Sequence, residues 1–318
     1  MKIGNVRELL EKNGIFLVIV FLCIFFGAAS PVFFSAENII NIFRQVSVIG
    51  IVAVGMTFVV LTGGIDLSVG ATIGVASVFT AQMMLWGHSP VFSAACSLGL
   101  CALFGLLNGV FVNELLIPPL VATLGTMTAL RGVAYIISGG LPVFGFPDSF
   151  SVLGQGYFGF VPIPVLVMLG VFAVGYVVLE MTPLGRYVYG VGGNEEASRL
   201  SGVGVKKIKY FVYTISGFLS GIAGIVLLSR INSGQPKAGQ GYEMDVITAV
   251  VIGGVSISGG EGRIAYVVAG VLIIGILSNG MILLNINEYV QWVVKGLVLV
   301  GAVGFDRLAK RKGVNRVA

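Results

Sequence analysis

The chain is poor in charged residues, histidine and cysteine. Asp, Glu, Lys and Arg together make up 10% of its 318 residues, whereas soluble domains carry about 25%. This low charge excludes a soluble globular protein, because most of the chain cannot face water. The single histidine is His88, and the three cysteines, Cys23, Cys96 and Cys101, all lie inside apolar runs. These counts exclude the usual Cys/His metal clusters and disfavour a disulfide framework, so we expect no metal and no cofactor.

A phosphate-binding loop is also missing from the sequence. No segment matches the Walker A pattern G-x-x-x-x-G-K-[ST], in which backbone amides and a lysine hold nucleotide phosphates. No nucleophile–base pair and no metal constellation stands at a recognisable spacing. We therefore expect that the chain is not an enzyme and does not hydrolyse ATP itself.

Apolar residues are abundant, at 56% of the chain. A bilayer core of about 30 Å needs roughly 20 of them per helix. The pattern predicts an all-α integral membrane protein, a single polytopic domain over residues 1–318 with about ten transmembrane helices. The candidate spans are 15–33, 46–62, 67–86, 90–112, 118–138, 162–180, 208–230, 243–257, 264–284 and 288–305. Glycine-rich breaks at 63–64 and 259–260 favour half-helices or tilted helices for the third and eighth spans.

The positions of lysine and arginine predict the orientation. With ten spans and the N-terminus inside, most of the 19 Lys and Arg residues fall on the cytoplasmic side, as the positive-inside rule requires. The exceptions are Arg44, Arg230 and Lys237 outside, with Arg131 and Lys295 inside spans. We expect both termini and the loop 181–207 to be cytoplasmic. The pI of about 9.1 is then explained by cytoplasmic loops, and no nucleic acid partner is needed.

A polar, glycine-rich segment interrupts the apolar runs at 62–70, with the sequence TGGIDLSVG. Its chemistry-bearing residues are Gly63, Gly64, Asp66 and Ser68. Asp66 could accept the amides of the turn that the two glycines create, or it could pair with a basic residue of a partner or with Arg263. Thr62-Gly-Gly and Ser258-Gly-Gly each end one apolar run and precede another, and they form a short internal repeat.

The longest polar connection, 181–207, contains a predicted short helix. Asn194 can cap a helix whose first turn holds Glu195 and Glu196, favourable against the helix dipole. Gly202 is well placed to end it. A plain connector does not need a capped helix of its own, so the pattern favours a protein-docking element over residues 194–201. The other members of this element are Ala197, Ser198 and Arg199.

Three segments carry a family resemblance: GGIDLSVG at 63–70, LGRYVYGVGGNEEASRLSG at 184–202, and GYEMDVITAVVIGGVSISGGEGR at 241–263. They resemble the permease subunits of bacterial sugar ABC importers of the ribose type, and the likeness runs from about Pro31 to Asp306. The resemblance implies a helical fold of the type II importer kind in the bacterial cytoplasmic (inner) membrane, surrounded by membrane lipids. It also implies three protein partners: a second copy of the chain, a cytoplasmic ABC ATPase and an extracytoplasmic sugar-binding protein.

The resemblance implies further assignments. The 194–201 segment looks like the coupling helix that seats in a groove of the ATPase, with Arg186 and Arg199 as candidate partners for acidic residues of that subunit. The cargo would be a monosaccharide, with ribose first. Related permeases carry other pentoses, galactose, autoinducer-2 and nucleosides, and specificity is expected to lie largely in the binding protein.

A neutral sugar needs only weak contacts along its path. Residues that could line it with donors and acceptors are Asn108, Thr123, Thr126, Ser216, Thr248 and Asn279. Each could equally bond between helices or to its own helix. Arg131 and Lys295 are intramembrane bases, for which a functional role is the default, although both could snorkel outward.

An ion-coupled secondary sugar transporter is the main alternative. Such a transporter usually needs buried carboxylates to carry the coupling ion. The candidates here all fall at predicted span ends, which speaks against it: Asp66, Glu114, Glu180, Asp245 and Glu288. A passive channel would need a polar ring in its pore, and none stands out in the sequence.

Overall fold

The computed structural model describes the backbone of residues 3–314 and the side chains of residues 14–304. Residues 1–2 and 315–318, which belong to the termini expected on the cytoplasmic side, lie outside that range. Thirteen α-helices occur in the described part. They are α1 Ile3–Ala29, α2 Ala36–Leu61, α3 Val69–Leu85, α4 Pro90–Asn113, α5 Pro119–Ser138, α6 Val152–Gln155, α7 Ile163–Tyr176, α8 Pro183–Gly193, α9 Glu195–Leu200, α10 Val205–Ile231, α11 Tyr242–Ile252, α12 Ile264–Leu283 and α13 Glu288–Val314.

Three smaller features complete the secondary structure. A π-helical turn, Val177–Met181, continues α7, and a 3-10 turn, Asp148–Ser151, precedes α6. One two-stranded antiparallel hairpin joins β1, Tyr157–Phe158, to β2, Val161–Pro162. The predicted all-α class is therefore confirmed, since this hairpin is the only sheet among the described residues.

The predicted count of ten spans is not confirmed. Six helices of the described chain are long and apolar enough to cross a membrane: α2, α4, α5, α7 with its π turn, α10 and α12. Gly14–Ala29 within α1 and the 17-residue α3 are shorter apolar helices. At 1.5 Å per residue, the 11 residues of α11 extend about 16 Å, roughly half of a bilayer core. These helices differ in length because glycine-rich turns interrupt the apolar runs.

The connections gather at two ends of the bundle. We call one the α9 end, where the Gly260 amide donates to the Leu61 carbonyl at 2.9 Å. We call the other the hairpin end, where Val143 and Gly234 form an antiparallel bridge. The α9 end holds the connections 62–68, 114–118, 182–204 and 253–263. The hairpin end holds 30–35, 86–89, 139–162, 232–235 and 284–287, whereas residues 236–239 lie against Gly70 and Gly74 of α3.

Helix packing relies on glycines. Two pairs of glycines spaced four residues apart, Gly105 with Gly109 on α4 and Gly217 with Gly221 on α10, face each other. A Cβ on Gly217 would overlap the Cys101 carbonyl and lie 2.9 Å from the Gly105 nitrogen. The absence of side chains lets the two backbones approach closely. The result is a tight seam between α4 and α10.

Candidate functional site

The predicted docking helix is present as α9. Asn194 has an extended backbone, and its Oδ1 accepts the Ala197 amide at 2.9 Å, which makes it a side-chain N-cap. Glu195 and Glu196 occupy the first turn, where acidic side chains favour the helix dipole. Gly202 follows the helix with φ +84°, a left-handed conformation that glycine adopts without strain. The predicted cap and end of this helix are confirmed.

One face of α9 is anchored and the other is free. Ser198 is buried, and Glu195 accepts from the Lys209 ammonium at 2.7 Å, which ties α9 to α10. Ala197 lies exposed, and Leu200 is 79% exposed. Arg199 pairs with Glu196 within the helix, and Arg186 lies exposed on α8. Ala197 and Leu200 are therefore the apolar side chains on the free face of α9.

The two glycines that precede α9, Gly192 and Gly193, end α8, a helix that the sequence pattern does not predict. A Cβ on Gly192 would overlap the Leu61 carbonyl oxygen and lie 2.6 Å from the Gly260 nitrogen. Gly259 and Gly260 both have positive φ and approach the loops 62–64 and 192–193 by backbone alone. We call residues 61–64, 192–193 and 258–260 the glycine junction.

A tyrosine adds a second tie beside this junction. The Tyr189 hydroxyl on α8 donates to the Gly262 carbonyl at 2.9 Å. Burial raises the pKa of Tyr189 to about 12, with the Glu180 carboxylate adding to the effect. The hydroxyl therefore stays protonated at neutral pH and keeps its donor role. Through Tyr189 and the junction, α8 is attached to the loop that connects α11 to α12.

The polar loop residues form a buried cluster that we call the Asp66 cluster. Asp66 is fully buried, and its Oδ1 accepts from the Ser68 amide at 3.0 Å and the Ser68 hydroxyl at 2.6 Å. Its Oδ2 accepts from the Ser216 hydroxyl at 2.8 Å. The Asn108 amide donates to Ser68 Oγ at 2.9 Å, and Thr126 donates to Asn108 Oδ1 at 2.6 Å. The cluster thus joins the loop to α4, α5 and α10 through satisfied hydrogen bonds.

This arrangement matches the structural role considered for Asp66. The carboxylate binds the Ser68 amide in its own turn, and the hydrogen bonds described for it run to Ser68, Ser216 and Asn108. Arg263 is not among those partners. Because a buried carboxylate needs several donors, the cluster fixes the break between α2 and α3.

The remaining hydroxyl and amide candidates for a cargo path are also bonded inside the protein. Thr123 donates to the Pro119 carbonyl at 2.9 Å, and Thr248 donates to Met244 at 2.6 Å. Asn279 exchanges two side-chain hydrogen bonds with Asn38, at 2.8 and 3.0 Å. Their geometry is that of helix–helix bonding or of bonding within one helix. A cargo-contacting role for these residues stays a prediction.

The two intramembrane bases have partners that the sequence alone does not reveal. Arg131 on α5 binds Glu243 at 2.9 Å, and Lys295 on α13 binds Asp245 at 2.7 Å. Both carboxylates stand in the first turn of α11 and are buried. The sequence does contain a signal for this pairing. Glu243 and Asp245 lie at the start of one predicted span, and Arg131 and Lys295 lie within two others, where a charged side chain needs a partner.

The acidic residues at the predicted span ends differ in their burial. Asp66 and Asp245 do lie at the ends of apolar segments, as expected, but both are buried. Position at a predicted span end therefore did not mean exposure to water. Glu114 does follow that expectation: it is exposed at the end of α4, and its hydrogen bond from Lys206 lowers the pKa of its carboxyl.

A cavity of about 410 Å³ lies beside the two ion pairs. It opens between α5, α11 and α13, and its lining includes all four paired side chains. Gln240, Gln291 and the half-exposed Trp292 complete its polar and aromatic wall. We call it the α11 cavity. Its lining combines two ion pairs with amide and indole groups, an arrangement suited to a small polar molecule.

Comparison with known proteins gives consistent matches. The family described as "Branched-chain amino acid transport system / permease component" matches residues 38–303. The ribose import permease protein of Bacillus subtilis is 43% identical over 300 residues, covering 94% of this chain and 93% of the relative. That of Haemophilus influenzae is 44% identical over 305 residues, 94% of each. The L-arabinose transport system permease protein of Escherichia coli is 42% identical over 297 residues, 93% of this chain and 90% of the relative. No solved structure matches.

Proposed function

The chain belongs to the family of permease components of branched-chain amino acid transport systems, and we propose that it is the membrane permease subunit of an ATP-driven ABC importer for a monosaccharide, with ribose as first candidate. The observation that carries this proposal is the near-full-length likeness to ribose import permeases. Six apolar helices and the family match indicate a multi-pass inner membrane protein. The likeness to an arabinose permease supports a pentose-sized cargo.

The energy must come from a separate subunit. The sequence has no phosphate-binding loop, so we infer that a cytoplasmic ABC ATPase docks on the α9 end. α9 is its coupling helix, with Ala197 and Leu200 as the apolar contact and Arg186 and Arg199 as partners for acidic groups. The six residues of α9 are too few for a helix that is stable alone in water. Docking therefore adds order to α9 as well as affinity.

We infer that ten helices lie in the membrane as one polytopic domain of the type II importer kind. They are α1, α2, α3, α4, α5, α7, α10, α11, α12 and α13, with α11 as a half-helix. The α9 end faces the cytoplasm together with both termini. The supporting pattern is its basic side chains, Arg186, Arg199, Lys206, Lys207, Lys209 and Arg263, which the positive-inside rule places on that side. The hairpin end then receives the sugar-binding protein.

Cysteine labelling tests this orientation. In a variant lacking Cys23, Cys96 and Cys101, Phe160→Cys should react with an impermeant maleimide in intact cells, because Phe160 is 98% exposed at the hairpin end. Leu200→Cys should react only after the membrane is permeabilised. Labelling of Leu200→Cys from outside would reverse the proposed orientation.

A second copy of the chain is the partner we infer for the exposed side of α5. Only 22% of the apolar window of α5 is buried, and Arg131 on it remains 30% exposed despite its ion pair. A charged group of this kind is costly against lipid. Gly125, Thr128 and Gly132 lie exposed on the same helix, and small residues permit close helix contact. A homodimer would shield Arg131 from lipid and place the α11 cavity near the interface.

An uptake assay tests the proposed function against its alternative. The buried carboxylates of α11 are the observation that favours an ion-coupled secondary transporter. We expect vesicles that contain the permease, its ATPase and its binding protein to accumulate labelled D-ribose only when ATP is supplied. Uptake should survive a protonophore that leaves ATP intact. Accumulation driven by a proton or sodium gradient without ATP would identify the secondary transporter instead.

A further inference from the structure

We propose that the α11 cavity is a binding site for a neutral, polyhydroxylated molecule, which holds the cargo during its passage through the permease. The identity of the ligand as a monosaccharide rests on the function proposed above. The site itself follows from the size of the cavity, its charge, its aromatic wall and one glycine in its lining.

The cavity fits a single sugar. Its volume of about 410 Å³ lies near the lower end of the range of roughly 300–1,000 Å³ for small-molecule sites. It is formed by three separate helices, α5, α11 and α13. A relative movement of these helices would therefore change its volume, as transient binding of a cargo requires.

The lining of the cavity carries both hydrogen-bond donors and acceptors. Glu243 and Asp245 are buried and fixed by Arg131 and Lys295, so their oxygens are held in place as acceptors. A guanidinium carries five donor hydrogens and an ammonium three, which exceeds what one ion pair uses. A sugar hydroxyl is both donor and acceptor, so neighbouring hydroxyls could bond to a base and to its paired carboxylate together.

The charge of the lining disfavours anions. Two cationic side chains, Arg131 and Lys295, stand against three acidic ones, Glu243, Asp245 and Glu288. The two bases are already neutralised by their partners at 2.9 and 2.7 Å. A phosphorylated sugar would have to break an ion pair to gain a counter-charge, whereas a neutral sugar leaves both pairs intact.

Trp292 supplies the apolar wall. Its side chain is half-exposed, lines the cavity, and packs edge-on against Tyr289 with ring centroids 5.7 Å apart. The flat indole buries apolar surface while its N–H remains available to a polar partner. The C–H face of a pyranose or furanose ring is the surface that such a wall accommodates.

One glycine makes the cavity testable. Gly296 lines the cavity, and a Cβ built on it meets no atom within 4 Å. A Cβ added there has open space around it, so a larger side chain at this position would narrow the cavity. Gly170 on α7 offers the matched control, because it is also exposed with no atom within 4 Å of its Cβ, and it lies outside the cavity lining.

We expect Gly296→Leu to uncouple the complex. In vesicles containing the ATPase and binding protein, uptake of labelled D-ribose should fall more than tenfold. ATP hydrolysis stimulated by the sugar-loaded binding protein should stay within about twofold of wild type, because docking and α9 are untouched. Gly170→Leu should change neither quantity. Normal uptake by Gly296→Leu, or an equal loss with Gly170→Leu, would overturn the proposed site.

Fluorescence tests the chemical class of the ligand independently of transport. The chain has two tryptophans, so Trp86→Phe leaves Trp292 as the only indole of the purified permease. D-Ribose should change its emission saturably in the millimolar range, and Gly296→Leu should remove that change. D-Ribose 5-phosphate should have no effect. No saturable response to ribose, or an equal response to the phosphate, would overturn the inference.

The two readouts separate failure of this site from failure of the proposed function. If wild-type vesicles show no ATP-dependent uptake of ribose or arabinose, the transport proposal fails whatever Trp292 reports. If wild-type uptake is normal while Gly296→Leu also transports normally, the importer stands and the α11 cavity is not its binding site.

Discussion

Ala197→Trp should abolish sugar-stimulated ATP hydrolysis and sugar uptake by the assembled complex. Ala197 is exposed in the first turns of α9, one residue before the buried Ser198 and close to the exposed Leu200. In the coupling contact proposed above, the groove that receives this small residue would have no room for an indole, and overpacking of a close contact is destabilising. We expect a loss of more than tenfold in both activities, measured with the reconstituted complex, while the permease reaches the membrane in normal amounts.

Two further variants separate size from helix stability. Ala197→Ser adds one oxygen atom and should retain most of the activity. Asn194→Ala removes the side-chain cap seen at 2.9 Å and should cost about 1 kcal/mol of helix stability, so hydrolysis should weaken without disappearing. If Ala197→Trp assembles with the ATPase and transports normally, α9 is a connector and its proposed coupling role is wrong.

α9 could be predicted from the sequence because its signals are local. An asparagine with two acids after it and a glycine eight residues later satisfies the donor and acceptor groups at both ends of a short helix. The structure has the Asn194 cap and the left-handed Gly202 in these positions. No contact with a distant part of the chain was needed for that prediction.

α8 could not be predicted in the same way. Four of its 11 residues are glycine, and glycine is about 1 kcal/mol less favourable than alanine inside a helix. The helix exists because Thr182 caps it, Pro183 opens it, and its buried residues Val188 and Val191 pack into the core. Thr182 and Pro183 are local signals for a helix start, but the four glycines oppose a helix, so tertiary packing decides the case.

The ion pairs of α11 show a second limit of prediction from the sequence. Arg131 and Glu243 are 112 positions apart, and Lys295 and Asp245 are 50 apart. The sequence indicated that both bases needed an explanation, but pairing them required knowledge of which helices are neighbours. The break at 259–260 was visible as a glycine repeat, whereas its contact with 61–64 and 192–193 depends on the fold.

Gly192→Ala should disable the permease, although alanine is the better helix former. The added Cβ would overlap the Leu61 carbonyl oxygen and lie 2.6 Å from the Gly260 nitrogen. Both are backbone atoms, which cannot rotate away as a side chain can. The junction must open instead, and we expect a cost of about 1–3 kcal/mol or more from overpacking. That opening would detach α8 and α9 from the loops that end α2 and α11.

The adjacent glycine provides a control in the same helix. A Cβ on Gly193 meets no atom within 4 Å, so Gly193→Ala should be neutral or slightly stabilising, by up to about 1 kcal/mol from helix propensity. The two variants should therefore shift the thermal unfolding midpoint of the purified permease in different ways. Only Gly192→Ala should also reduce sugar-stimulated ATP hydrolysis, by more than tenfold. Equal behaviour of the two variants would mean that the close contact between α8 and Leu61 does not constrain the molecule.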